Sequence, residues 1–284
     1  GKIDWKRSVP YFGLHVTVIS VFWVGFSWVA LGVMLFTLFA RVFALTAFYH
    51  RYFSHKSFKT TRWFQFVAAF WGSTAAQRGP IWWSAHHRRH HQVSDLPPDV
   101  HSPVQHGFWW SHMLWFLSDE NFKTNPKLVK DWMKYPELRF IDRHDYLAPA
   151  TLALAMFGLG AGLNALWPSL GTNGLQMMIW GFLISTIFVY HITYCVNSLA
   201  HTIGSRRYKT HDDSRNNWLI ALLTFGEGWH NNHHRYPASV RQGFYWWELD
   251  VSYCILWCMS KVGLVWELKP VPQHILEEGR EHKG

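Results

Sequence analysis

Three short stretches of this chain concentrate imidazole side chains. "FYHRYFSHKSF" carries His50 and His55. "WSAHHRRHHQVS" packs His86, His87, His90 and His91 into six positions, and "EGWHNNHHRYP" carries His230, His233 and His234. His87, His90 and His91 stand at i, i+3 and i+4, positions that share one face of an α-helix, and His230, His233 and His234 repeat that spacing. His50 and His55 are five apart, about 140° around an α-helix, so they converge only if a helix end or kink intervenes. Asn197 and His201 add a further i, i+4 pair. Nine neutral imidazoles are too many for one ion, because structural zinc takes four ligands and catalytic zinc usually three. Two ions fit the count. Imidazole serves Zn, Cu, Fe and Ni alike, so ligand type alone leaves the metal open. A soluble carboxylate di-iron bundle needs paired E-x-x-H motifs. The only such spacing evident is Glu227 to His230, so Glu227 is expected behind a ligand ring as its hydrogen-bond acceptor. His86 falls outside the i, i+3, i+4 template and is left out of the ligand set. His101, His106 and His112 are weaker candidates, expected behind the ligands or on the surface.

The elements that would position these residues are membrane helices. No Asp, Glu, Lys or Arg occurs from Ser8 to Ala40, a run too long for one crossing of about 30 Å of hydrocarbon. A hairpin with its turn near Gly25 to Ser27 fits, with spans at about 10–26 and 28–49. A second uncharged region holds spans at about 146–164 and 175–196, separated by "NALWPSLGTNG", whose Pro and Gly mark a turn. The mean hydropathy of −0.08 averages over this division. The reading is an all-α integral membrane protein of one domain, residues 1–284. Four helices in two hairpins would carry a helical cap formed by about 50–145 and 197–284. None of the 27 Lys and Arg lies between Tyr146 and Leu199. This asymmetry puts the cap, both termini and every histidine cluster on the cytosolic side. Arg41 is expected to snorkel to that surface. The +9 formal charge suits anionic lipid or an acidic partner, and no Lys/Arg run with interleaved aromatics suggests nucleic-acid binding. No cleavable signal peptide is evident. His15 and His191 lie inside spans, where packing or hydrogen bonding is expected of them. Cys195, Cys254 and Cys258 form no C-x-x-C pair and are assigned to packing. Residues 244 to 266 have an uncharged core too short to span and are expected at the interface.

A metal pair at the mouth of an apolar, aromatic-rich bundle implies chemistry on a long alkyl chain from the bilayer. Attack on unactivated C–H bonds calls for a redox metal with dioxygen, which zinc cannot supply. At "HRYFSH" (50–55), "HRRHH" (87–91), "NSLAH" (197–201) and "GEGWHNNHH" (226–234) the chain resembles the membrane-bound fatty acid desaturases. The branch is the stearoyl-CoA desaturase-like (delta-9) one, of bacterial type. The likeness covers nearly the whole chain. It implies two iron ions held by His50, His55, His87, His90, His91, His201, His230, His233 and His234, with Asn197 acting through a water. It implies O2 as co-substrate, a long-chain acyl-CoA or acyl-lipid as substrate, and a cis double bond introduced at carbons 9 and 10. Two electrons would come from an external donor of ferredoxin, rubredoxin or cytochrome type. Gln77, Trp83, Thr193 and Tyr194 match the kink of the family's substrate tunnel, the last being Trp in animal members. Gln77 and Thr193 could hydrogen-bond to each other or to a neighbour.

The chain also departs from the family pattern. The D-P-H after the second box reads Asp99-Val100-His101 here, and Asp99 and His101 are carried with Glu227 as residues behind the ligands. Asn232 replaces a Tyr common in animal enzymes, and no haem domain is appended. Arg88 could meet coenzyme A phosphates or face solvent or lipid. Two other readings stand beside desaturation. A hydroxylase or decarboxylase of alkyl chains would share the scaffold, and a membrane metal transporter would place its ligands near the bilayer midplane.

Overall fold

A computed structural model of the chain describes residues 1–281. In chain order the α-helices are α1 (Trp5–Thr17), α2 (Val21–Val24), α3 (Trp28–Phe43), α4 (Arg62–Ser73), α5 (Pro80–Val93), α6 (Pro103–His106), α7 (Lys130–Met133) and α8 (Pro136–Arg143). They continue as α9 (Leu147–Leu166), α10 (Gly174–Met178), α11 (Ser185–Ser198), α12 (Trp218–Leu223), α13 (His230–Arg235), α14 (Val251–Lys261) and α15 (Gln273–Glu281). Two strands, β1 (Lys59–Thr60) and β2 (Val265–Trp266), pair antiparallel with Lys59 opposite Trp266. This ladder fastens the segment before α4 to the chain after α14.

Three helical stretches among the described residues are long and apolar enough to cross a bilayer: Trp28–Ser54, Leu147–Leu166 and Gly174–His201. The shortest, at 20 residues, spans about 30 Å. The expected span at 10–26 is helical but begins at Trp5, and a 3₁₀ turn at Val18–Ser20 interrupts it. Thr17 and Ser20 there donate their hydroxyls to the carbonyls of Leu14 and Thr17, diverting backbone acceptors from the α-helical ladder. Gly25, at φ +70°, ends this segment, and Ser27 caps α3 by accepting from the Ala30 amide. The Ser27 hydroxyl also donates to Gln176 at 2.7 Å, while Gln176 and Trp180 donate to the carbonyls of Val24 and Gly25. The first hairpin turn is thus tied to the third long helix. Gly160 lets α9 touch α10, since a Cβ there would lie 2.3 Å from the Asn173 carbonyl oxygen. The rest of α9 is largely exposed and apolar, with Leu154 70% and Leu166 69% accessible.

Several sequence expectations are corrected. Arg41 does not snorkel. It is buried and donates to the Thr37 and Thr74 carbonyls and to the hydroxyls of Ser185 and Thr186, because α3 and α11 offer acceptors inside the bundle. Arg88 is committed to partners within the protein. It forks onto Asp131 and donates to the carbonyls of Phe53, Ser54 and Leu128, knitting α5 to residues 53–54 and to the segment 128–131. Cys254 and Cys258 do not pack. Both are exposed on α14, which turns its Leu256 inward, and only Cys195 is partly buried. His15 and His191 do hydrogen-bond, joined at 3.3 Å, and His191 continues to His112 at 3.1 Å and so to Ser198.

Candidate metal centre

The first histidine pair is aligned by an unusual helix. From Ala44 to Ser54 the chain continuing from α3 is a π-helix, buried throughout, in which each turn closes on the fifth residue. The His55 amide donates to the His50 carbonyl at 3.2 Å, and the Ser54 hydroxyl reaches the Tyr49 carbonyl. A spacing of five, badly out of phase on an α-helix, is brought nearly onto one face by the wider turn. The ring centroids of His50 and His55 lie 4.9 Å apart. α5 presents His87, His90 and His91, and α13 presents His230, His233 and His234. His201 follows α11 in a 3₁₀ turn.

These nine histidines form two groups, each able to offer its nitrogens to a common point. One consists of His50, His55, His87, His91 and His233, the other of His90, His201, His230 and His234. The Nε2 of His233 lies 3.0 Å from the Nε2 atoms of both His50 and His91, while His55 and His87 approach at 2.8 Å and His201 and His230 at 2.9 Å. Nitrogens about 2.1 Å from one ion and at right angles are about 3.0 Å apart, so this crowding of lone pairs suits a metal. The outward nitrogens support the same orientation. His50 Nδ1 donates to Glu227, His90 Nδ1 to Asp99 at 2.9 Å, His201 Nδ1 to Asp95 at 2.8 Å and His234 Nδ1 to Asp212 at 2.5 Å. Metal-binding imidazoles characteristically donate their second N–H to a carboxylate. The Nε2 of His234 is buried and without a hydrogen-bond partner, as suits a nitrogen whose lone pair serves a metal.

Burial holds His55, His87, His91, His230 and His233 well below the ordinary imidazole pKa, and neighbouring rings add to the effect. Burial likewise brings His234 down to about 4, against the pull of Asp212. These rings are neutral at pH 7, with lone pairs free for a cation. His90 differs: burial opposes its charge, but Asp99 outweighs burial and raises it. Burial also pushes His101 down to about 3; it stacks on Trp115 with Nδ1 only 3.4 Å from Asp99.

A cavity of about 370 Å³ opens beside both groups. His50, His87, His90 and His230 reach it together with Asn197, whose carbonyl accepts from Ser111. Gln77, Trp83, Thr193 and Tyr194 all line it. Gln77 donates to Thr193 at 2.8 Å, and Trp83 stacks on His87 at 5.1 Å. Tyr194 packs among Tyr190, Phe116 and His112. His86 lies outside both groups, with Nε2 3.2 Å from the Lys123 carbonyl oxygen and its ring on Trp82.

Sequence reasoning overlooked five residues behind the rings. Asp95 and Asp212 hold His201 and His234; Arg51 and Gln242 donate to Glu227, the acceptor of His50 rather than of His230, and Asp250 accepts from Arg51. Asp95 follows the second histidine box by four residues and Arg51 adjoins His50, but nothing in the sequence shows that Asp212 returns to α13.

Residues 11–251 match the sequence model of the family described as Fatty acid desaturase. The chain belongs to the fatty acid desaturase family. It is similar to the sn-1 stearoyl-lipid 9-desaturase of Anabaena variabilis, at 34% identity over 94% of each chain. It is 38% identical to the chloroplastic palmitoyl-monogalactosyldiacylglycerol delta-7 desaturase of Arabidopsis thaliana, over 94% of this chain and 70% of that one. An acyl-CoA 5-desaturase of Anemone leveillei is 36% identical over 96% of this chain and 84% of its own length. This desaturase is therefore an oxidoreductase of fatty acyl chains. Its apolar helices fit a membrane protein, and its histidine groups fit the iron that the family generally uses.

Proposed function

We propose that this protein is a di-iron, O2-dependent acyl desaturase that introduces a cis double bond at carbons 9 and 10 of a long saturated acyl chain carried by lipid or coenzyme A. The observation that carries the reading is the pair of histidine groups, with Nε2 atoms 2.8 to 3.0 Å apart, beside an apolar cavity. His50, His55, His87, His91 and His233 would hold one iron and His90, His201, His230 and His234 the other, with Asn197 contributing through water. Bound iron would supply the capacity to reduce O2 and take two hydrogens from adjacent carbons. The overall change balances as saturated chain plus O2, two electrons and two protons giving unsaturated chain and two waters. The electrons come from a ferredoxin, rubredoxin or cytochrome-type donor.

The remaining roles belong to side chains of this protein. Glu227, Asp95, Asp99 and Asp212 fix the ligand rings by accepting their outward N–H groups. His101 buttresses His90, with ring centroids 4.3 Å apart. Trp83 separates chain from ligands, and the Gln77–Thr193 bond with Tyr194 sets the bend at which the two methylenes are presented. The single domain crosses the bilayer four times, the interrupted helix from Trp5 to Val24 being the first crossing. Both termini and the cap face the cytosol, as the placement of Lys and Arg requires.

The test is product analysis. Iron-loaded protein in lipid nanodiscs, supplied with reductant, ferredoxin and either stearoyl-CoA or stearoyl phospholipid, should consume O2 and yield oleoyl chains on gas chromatography. A hydroxylated or shortened chain, or a bond elsewhere, would overturn the assignment.

A further inference from the structure

The two histidine groups sit in unlike electrostatic surroundings. Three of the four rings in the His90, His201, His230 and His234 group end on carboxylates, those of Asp99, Asp95 and Asp212. Among the described residues no lysine or arginine pairs with these three. Their other contacts are neutral donors: the Asp95 and His101 amides on Asp99, Ser102 and the Asp213 amide on Asp95, and the amide and hydroxyl of Ser214 on Asp212. In the five-histidine group only His50 meets a carboxylate among the described residues. That carboxylate, Glu227, is shared with the guanidinium of Arg51 at 3.0 Å.

We infer that the four-histidine group takes up its divalent cation first and holds it more tightly, although it offers one imidazole fewer. The inference rests on the proposal that each group holds one ion. Three uncompensated negative charges one imidazole away favour a cation, and carboxylates that orient ligand rings are typically each worth 10- to 100-fold in metal affinity. Glu227 shares Arg51 with Asp250, so the carboxylates behind the other site leave one net negative charge against three here.

A consequence is that protein carrying one ion per chain is mostly singly occupied: a tenfold difference in Kd leaves about 18% of chains with both sites filled and a thousandfold difference about 3%. Equal affinities would leave about a quarter of such chains with both sites filled.

The experiment titrates metal-free, full-length protein in detergent micelles with Co2+ alone, followed by visible absorption and equilibrium dialysis. Two binding events are expected, separated by at least about tenfold in Kd. Asp212→Asn and Asp99→Asn should each weaken the tighter event by about 10- to 100-fold and leave the weaker one in place, whereas Glu227→Gln should act on the weaker event. Two equal affinities in the unsubstituted protein, a measurement that needs no variant to fold, would overturn the inference while leaving two ions per chain. So would loss of the weaker event in Asp212→Asn. Fewer than two Co2+ per chain at saturation would instead overturn the two-ion proposal itself.

Discussion

Replacing Arg51 by methionine tests how much of the site depends on a single buried cation. Arg51 is fully enclosed and donates to Glu227 at 3.2 and 3.0 Å, to Asp250 at 2.9 and 3.1 Å and to the Val240 carbonyl at 2.9 Å. The guanidinium stands between two carboxylates, Asp250 and Glu227, whose negative charges offset the cost of burying it. Methionine fills much of the volume and leaves two buried carboxylates without their counter-ion. Removing one partner of a buried ion pair costs about 3–5 kcal/mol. Asp250 retains the amides of Gln242, Gly243 and Tyr253, so the lower end applies, about 3 kcal/mol. At about 2–4 °C per kcal/mol for chains approaching this size, the melting point should fall by about 6–12 °C. Arg51→Lys keeps the charge but not the two-pronged geometry, and should lie between. Tryptophan fluorescence melts in micelles measure the effect. A methionine variant that melts with the unsubstituted protein would refute this account of the buried network.

Two further outcomes are expected. His86→Ala should retain both ions, since its ring serves the Lys123 carbonyl and Trp82, whereas His233→Ala should lose metal because its Nε2 stands 3.0 Å from both His50 and His91; elemental analysis separates the two, and equal loss would show that the groups are drawn wrongly. The metal-free protein should also be sensitive to acid. The folded pKa values of His55, His87, His91, His230 and His233 lie well below the ordinary 6.5 and that of His234 at about 4, so the unfolded chain binds more protons in this range. Stability is complete above about pH 6.5 and declines below it by about 1.4 kcal/mol per pH unit for each such ring, until the folded pKa is reached. Melting points at pH 7.5, 6.0 and 5.0 test this, and a flat profile would mean that the rings are not buried in the neutral form.

The sequence alone determined which histidines share a helix face. Spacing of three and four on a helix is enough to put His87, His90 and His91, or His230, His233 and His234, on one face, and long uncharged runs are enough to locate apolar helices. These are properties of a single helix, and the chain writes them locally. The pairing of His50 with His55 was legible only as a requirement for a distortion, and the π-helix that meets it depends on burial of the whole stretch from Ala44 to Ser54. What the tertiary structure decided is the division of nine rings into groups of five and four, which mixes residues from α5 and α13 in both. It also decided which carboxylate stands behind each ring. Asp212 and His234 are 22 positions apart, Asp95 and His201 are 106, and Arg51 and Asp250 are 199. The inward turns of Arg41 and Arg88 follow the same logic. A buried charge goes wherever the fold has gathered acceptors, and acceptors drawn from remote elements leave no periodic trace in the sequence.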